Sequence, residues 1–163
     1  MSAILTFPRT VNEKAARVVA GCVMVLGIRA LATGRHWLLA VLCVGFVLRV
    51  VAGPTLSPLG QLATKVVAPR LGPPKMVSGP PKRFAQATGA AMTGAGAVLA
   101  LGFGAEGVAD VLLVLLVVAA GLESLVGFCV GCKVFGLLMR AGVIPDEVCA
   151  ECADIWSRPQ PAR

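Results

Sequence analysis

Tyrosine is absent from the chain, and Phe and Trp together supply only 5% of it. A membrane β-barrel carries aromatic girdles and dyad alternation, so that architecture is excluded. Charged residues are also scarce, at 14%, against 57% hydrophobic residues and a mean hydropathy of +0.85. A soluble domain of 163 residues cannot bury so much apolar surface, because its surface-to-volume ratio is too high. The chain therefore reads as a helical protein embedded in lipid. Acidic residues number eight against fifteen basic ones. The basic residues lie between apolar runs and not on one amphipathic face. This is the pattern of membrane-protein loops, and no nucleic-acid partner is expected. The single histidine, His36, sits alone near an interface, so no histidine ligand set is expected. Met1 to Lys14 lacks the short apolar stretch and small-residue cleavage site of a secretory signal. The first hydrophobic helix is expected to be a retained anchor.

Four apolar runs are present. They predict spans at about 15–34, 36–53, 85–104 and 108–138. Only "GRH" separates the first two, so they should form a tight antiparallel hairpin. Residues 54–84 hold seven prolines and the basic residues Lys65, Arg70, Lys75, Lys82 and Arg83. Proline-rich chain cannot span lipid, so this stretch predicts a surface loop. Within it, "PLGQLATKVVAP" has near-helical apolar spacing and predicts a short helix on the headgroups or the bundle. The third run is rich in small residues, including Gly89, Gly94 and Gly96, which suit close helix packing. The fourth, Val111 to Gly142, exceeds the hydrocarbon thickness and must tilt, kink or protrude. Glycines 121, 127, 131 and 136 offer places to bend. Trp37 and Trp156 read as interface anchors.

Four spans put both termini on one side. Every Lys and Arg except Arg29 and Arg35 falls on that side, thirteen against two. The positive-inside rule then predicts cytoplasmic termini, a cytoplasmic Pro-rich loop and an inner-membrane location. Residues 1–142 form the membrane domain and 143–163 a cytoplasmic tail.

Two Cys-x-x-Cys pairs lie at the cytoplasmic mouth of the fourth span: Cys129 with Cys132, and Cys149 with Cys152. Each pair should share a helix face. Pro145, Asp146 and Glu147 suit the start of a short C-terminal helix after a stop at Gly142. The spacing C-x2-C-x16-C-x2-C permits a four-cysteine zinc or iron–sulfur site. It equally permits redox dithiols, since cytosolic cysteine pairs are usually metal-binding or redox-active. Packing alone also remains open. Lys133 beside Cys132 favours the thiolate, so Cys129 and Cys132 are the better redox candidates. Acidic neighbours surround the second pair, which suits a resolving or receiving role. Cys22 and Cys43 are isolated in apolar helices and read as small hydrophobes. Glu123 is the one acid deep in an apolar run. It is either a functional intramembrane acid or a packing partner for an arginine such as Arg17 or Arg49.

The stretches "FPRTVNEKAARVVAG", "GPTLSPLGQLATKVVAPRLG", "PPKRFAQATGA", "LESLVGFCVGCKVF" and "GVIPDEVCAEC" together resemble the bacterial integral-membrane proteins of domain-of-unknown-function family 4395. The resemblance covers roughly residues 7 to 142, and "PKRFAQ" and "C-x-G-C" are its most specific elements. It implies a multi-pass membrane protein and, by loose association, a thioredoxin-like or sulfurtransferase partner.

The sequence thus predicts an all-α polytopic membrane protein: four transmembrane helices, a Pro-rich cytoplasmic loop and a short C-terminal helix. Three functions are compatible with it: thiol-redox or sulfur handling, a non-enzymatic four-cysteine metal protein, and a small anion or sulfur-compound transporter subunit. The lack of an internal repeat makes a pore depend on homo-oligomerisation.

Overall fold

The computed structural model describes residues 8–149. Helix α1 (Glu13–Thr33) starts where Asn12 accepts a hydrogen bond from the Lys14 amide through its side chain. It ends at Gly34, which takes the left-handed conformation open to glycine. Helix α2 (Trp37–Ala52) follows at once, giving the expected hairpin. His36 at the turn is buried and lies 2.9 Å from Asp110. It ties this end of the bundle to helix α5 (Glu106–Gly121). Trp37 is exposed at the same end, as an interface anchor should be.

The Pro-rich stretch is more ordered than a loop. Helix α3 (Pro58–Leu62) begins at a Ser57 cap and runs on through a wide turn (Ala63–Val67) and a tight one (Ala68–Leu71). Its small residues Gly60, Ala63 and Ala68 are buried, while Leu62 and Val66 are exposed. The apolar residues there are split, with Ala63 and Leu59 against the core and Leu62 and Val66 facing outward. Strand β1 (Thr10–Asn12) pairs antiparallel with strand β2 (Met76–Ser78), Val11 opposite Val77. This ribbon fastens the N-terminal segment to the end of the Pro-rich stretch.

Helix α4 (Gly79–Ala97) begins well before the expected Ala85. Pro80 and Pro81 occupy its first turn, where a missing amide hydrogen is harmless and a fixed φ helps. Lys82 is therefore a buried helix residue and not a loop cation. The helix continues through a wide turn (Val98–Gly102).

Four helical segments, Glu13–Thr33, Trp37–Thr55, Gly79–Gly102 and Glu106–Val126, are long and apolar enough to cross a membrane. The fold is an all-α polytopic bundle. α1 packs on α5 and α2 on α4. The core is formed by Val23, Leu39, Phe46, Leu113 and Leu116 with many alanines. Close approach needs glycine: a β-carbon on Gly89 would lie 2.6 Å from the Phe46 ring, and one on Gly27 2.5 Å from Val117. The outward faces carry exposed Val41, Val44, Val111, Leu115 and Val118, a surface suited to hydrocarbon.

The fourth apolar run is not one helix. α5 passes into a wide π-type turn (Leu122–Val126), and Gly127 then turns left-handed at φ 77°. Helix α6 (Val130–Arg140) restarts beyond it. The length that lipid cannot hold is folded back at the bundle end. After Gly142, again left-handed, only a short turn (Asp146–Val148) is described of the expected C-terminal helix. Cys152 and Trp156 lie outside the described residues.

Gly127→Ala places a side chain in a left-handed position, at a cost of about 1–2 kcal/mol. Its β-carbon would also meet Glu13 and Arg17 at 3.4 and 3.5 Å. Gly136 lies within α6 with nothing near its missing β-carbon, so Gly136→Ala should be neutral or stabilising. Thermal unfolding in detergent is expected to separate the two variants. Equal midpoints would remove the turn at Gly127 as a determinant.

Candidate functional site

The elements around the break converge on one cluster. Lys82, in the first turn of α4, reaches across the bundle to Glu123 in the wide turn at the end of α5. The Lys82 Nζ to Glu123 Oε1 distance is 2.5 Å, and both side chains are largely buried. Arg17 and Arg49 were the expected partners of Glu123, and Lys82 takes that place instead. Its helix starts earlier than the proline content suggests, which carries the ammonium into the bundle. Arg17 has a different task. Its guanidinium donates to the carbonyl oxygens of Ser124 and Leu125, which the break leaves without helical partners. Arg49 is buried in α2, donates from Nε to Gln86 Oε1 at 2.9 Å, and stacks over the Phe46 ring at 4.7 Å. It lies within electrostatic reach of Glu123.

Each residue of "KRFAQ" in α4 has an assignable contact. Lys82 pairs with Glu123, and Arg83 donates to the Val50 carbonyl at 3.0 Å. Phe84 meets Phe135 of α6 with ring centroids 5.6 Å apart. Ala85 presses on Gly131, and Gln86 holds Arg49. A β-carbon on Gly131 would lie 2.6 Å from that of Ala85. The glycine inside Cys-Val-Gly-Cys is thus what lets the first turn of α6 lie on α4.

Cys129 is not a residue within a helix, as the sequence suggests, but the cap of one. The turn at Gly127 puts its backbone in an extended conformation (φ −85°, ψ 102°). Its Sγ accepts the Cys132 amide hydrogen at 3.3 Å. Cys129 and Cys132 are joined by a disulfide. A helix start presents unpaired amide hydrogens that favour an anion. Cys129 is buried, whereas Cys132 is partly exposed.

Cys149 is buried against Phe135 and Met139, with Phe84 and Ile144 around it. Among the described residues no group of three or more His, Cys, Asp or Glu side chains is arranged to hold a metal. The expected four-cysteine site also needs Cys152, outside the described residues. Cys22 and Cys43 are free thiols, and Cys43 lies 3.6 Å from the Ala90 carbonyl within the bundle.

A cleft of about 480 Å³ adjoins the cluster. Its floor is Val19, Ala20 and Val23 of α1 with Phe46 of α2, and its sides are α4 and α5. Cys129, Val130, Gly131 and Val134 close one end, beside Glu123 and Gln86. Apart from Thr88 the remaining walls are apolar.

Fold and site together define a polytopic helical membrane protein with a cysteine pair at the end of its bundle. The profile of the family described as "Domain of unknown function (DUF4395)" matches residues 11–140, and the chain belongs to that family. No curated protein and no solved structure matches it.

Removing Lys82 alone leaves a buried carboxylate without its partner. Lys82→Met is therefore expected to cost roughly 3–5 kcal/mol. Lys82→Met combined with Glu123→Leu should recover most of that loss, and unfolding of the four proteins in one detergent measures the coupling. Strictly additive losses would mean that the two residues do not stabilise one another.

Proposed function

We propose that the chain is a membrane thiol–disulfide exchange protein whose working pair is Cys129 and Cys132. One observation carries this reading: Cys129 caps α6, bonds the Cys132 amide through its sulfur, and is joined to Cys132 as a disulfide. The partly exposed Cys132 sulfur is the one open to an incoming thiolate. Attack there forms a mixed disulfide and releases Cys129 as a thiolate, which the helix start favours. A second thiol of the partner resolves the mixed disulfide. Two electrons pass, and the partner leaves oxidised. Such a partner is a soluble thioredoxin-like or sulfurtransferase protein, for which Cys149 and Cys152 supply a second pair on the same side. Glu123 serves here through Lys82, holding the turn that places Cys129.

We place both termini, the Pro-rich stretch and the cysteine pairs in the cytoplasm, and the bundle in the plasma membrane. The reading rests on charge asymmetry, since only Arg29 and Arg35 lie at the opposite end. Arg70 and Arg35 are both exposed, one near each end. Arg70→Cys is expected to react with an impermeant maleimide only after cells are opened, and Arg35→Cys in intact cells. The reverse pattern would invert the topology.

Titration of the protein in lipid nanodiscs against dithiothreitol tests the exchange function. With the thiols of Cys129 and Cys132 counted by mass spectrometry at each point, a reversible two-electron transition of that pair is expected, lost in Cys129→Ser and retained in Cys149→Ser. A Cys129–Cys132 pair that never titrates would end this reading.

A further inference from the structure

The disulfide has two unlike faces. Cys132 is partly exposed and lies outside the walls of the cleft, where a soluble protein can meet it. Cys129 is buried and forms part of the end wall. The sides of the cleft include Leu115 and Val118, both about half exposed at the rim, with Leu122 and Val134 also exposed. In a bilayer Leu115 and Val118, within the apolar span of α5, face hydrocarbon, so this side of the cleft opens into lipid. A water-soluble reductant or oxidant has no route through such a rim. Gln86 and Glu123 lie near the cysteine end, and Thr88, bonded to the Phe84 carbonyl, is the other polar side chain among apolar walls. An occupant of this space must be lipid-soluble, must carry one polar end toward Cys129, and must exchange two electrons with a dithiol.

Resting on the thiol-exchange reading, we infer that the cleft between α4 and α5 binds a membrane quinone and that Cys129 passes electrons to it. A quinone ring carries two carbonyl oxygens on an apolar body with an isoprenoid tail, which matches a polar end and a lipid-open rim. The volume of about 480 Å³ falls in the range of small-molecule sites. The exchange balances without a further reagent. The two S–H bonds of reduced Cys129 and Cys132 break, and one S–S bond forms. The two electrons and two protons go to the quinone oxygens, and the product leaves as the quinol. The cycle closes when a cytoplasmic dithiol reduces the disulfide again through Cys132. Gln86, whose Oε1 accepts from Arg49, offers its side-chain amide N–H groups to a ring oxygen, and the Lys82–Glu123 pair holds the end wall in place.

The test uses full-length protein in nanodiscs, reduced with dithiothreitol and then freed of it. Decylubiquinone and menaquinone-4 are added separately, and quinol formation is followed by absorbance alongside thiol counting. One quinone reduced per pair of thiols lost is expected, with no such reaction in Cys129→Ser. Ala119→Phe, which fills the cleft, should slow the reaction about tenfold, equivalent to about 1.4 kcal/mol in the barrier. Val41→Phe, on the lipid face of α2 away from the cleft, should keep the wild-type rate. A pair that titrates with dithiothreitol but reduces neither quinone overturns the quinone inference and leaves thiol exchange standing. A pair that does not titrate overturns both. A photoreactive azidoquinone gives a readout independent of any variant. Labels should fall within residues 84–92 and 115–123 and be displaced by unlabelled quinone. Labels scattered over the exposed valines of α2 without displacement would rule the site out.

Discussion

The buried contact between the Lys82 ammonium and the Glu123 carboxylate is where the chain's local features meet. Neither charge is tolerable alone among these helices, so each fixes the other's position. Lys82 requires α4 to begin at Gly79, which the two prolines of its first turn permit. Glu123 sits in the wide turn that ends α5, and the pair pins that turn against α4. Arg17 takes up the carbonyls released there, and Gly127 supplies the left-handed residue that lets the chain change direction. Cys129 then emerges at the start of α6 and not in the middle of a longer helix. The placement of the cysteine pair follows from an ion pair that neither cysteine touches.

The same dependence explains what could be read from the sequence and what could not. Hydropathy located four apolar runs because a lipid environment demands about twenty apolar residues wherever a helix crosses. The hairpin at Gly34 and the stop near Gly142 were legible, because left-handed residues at helix ends favour glycine. Proline content implies a loop, yet Pro80 and Pro81 sit where a helix accepts them. The early helix start carries Lys82 inward, so Lys82 and not Arg17 or Arg49 meets Glu123. A Lys two residues past a Pro-Pro start and just ahead of an apolar run was the available signal. The ribbon between Thr10–Asn12 and Met76–Ser78 was not legible, since three-residue strands distant in sequence leave no periodicity. Neither was the cap at Cys129, because a helix break at one of four candidate glycines depends on contacts made elsewhere.

The arrangement separates two environments around one sulfur–sulfur bond. Cys132 is partly exposed and lies outside the cleft walls, and Cys129 belongs to the apolar interior. Gly131 between them presses on Ala85, so the pair is held against α4 and not left on a free segment. Phe84 and Phe135 brace the same contact one turn away. A local pair on a braced helix start is suited to reversible exchange.

The central claim is that Cys129 and Cys132 form one local, reversible pair. Disulfide mapping by mass spectrometry, with metal analysis of the same protein purified without chelators, tests it most directly. The account predicts a Cys129–Cys132 linkage in oxidised protein, two free thiols at those positions after reduction, and no stoichiometric metal in either state. One zinc or iron per chain, lost on Cys132→Ser, or a linkage joining Cys129 to Cys149 or Cys152, would contradict it.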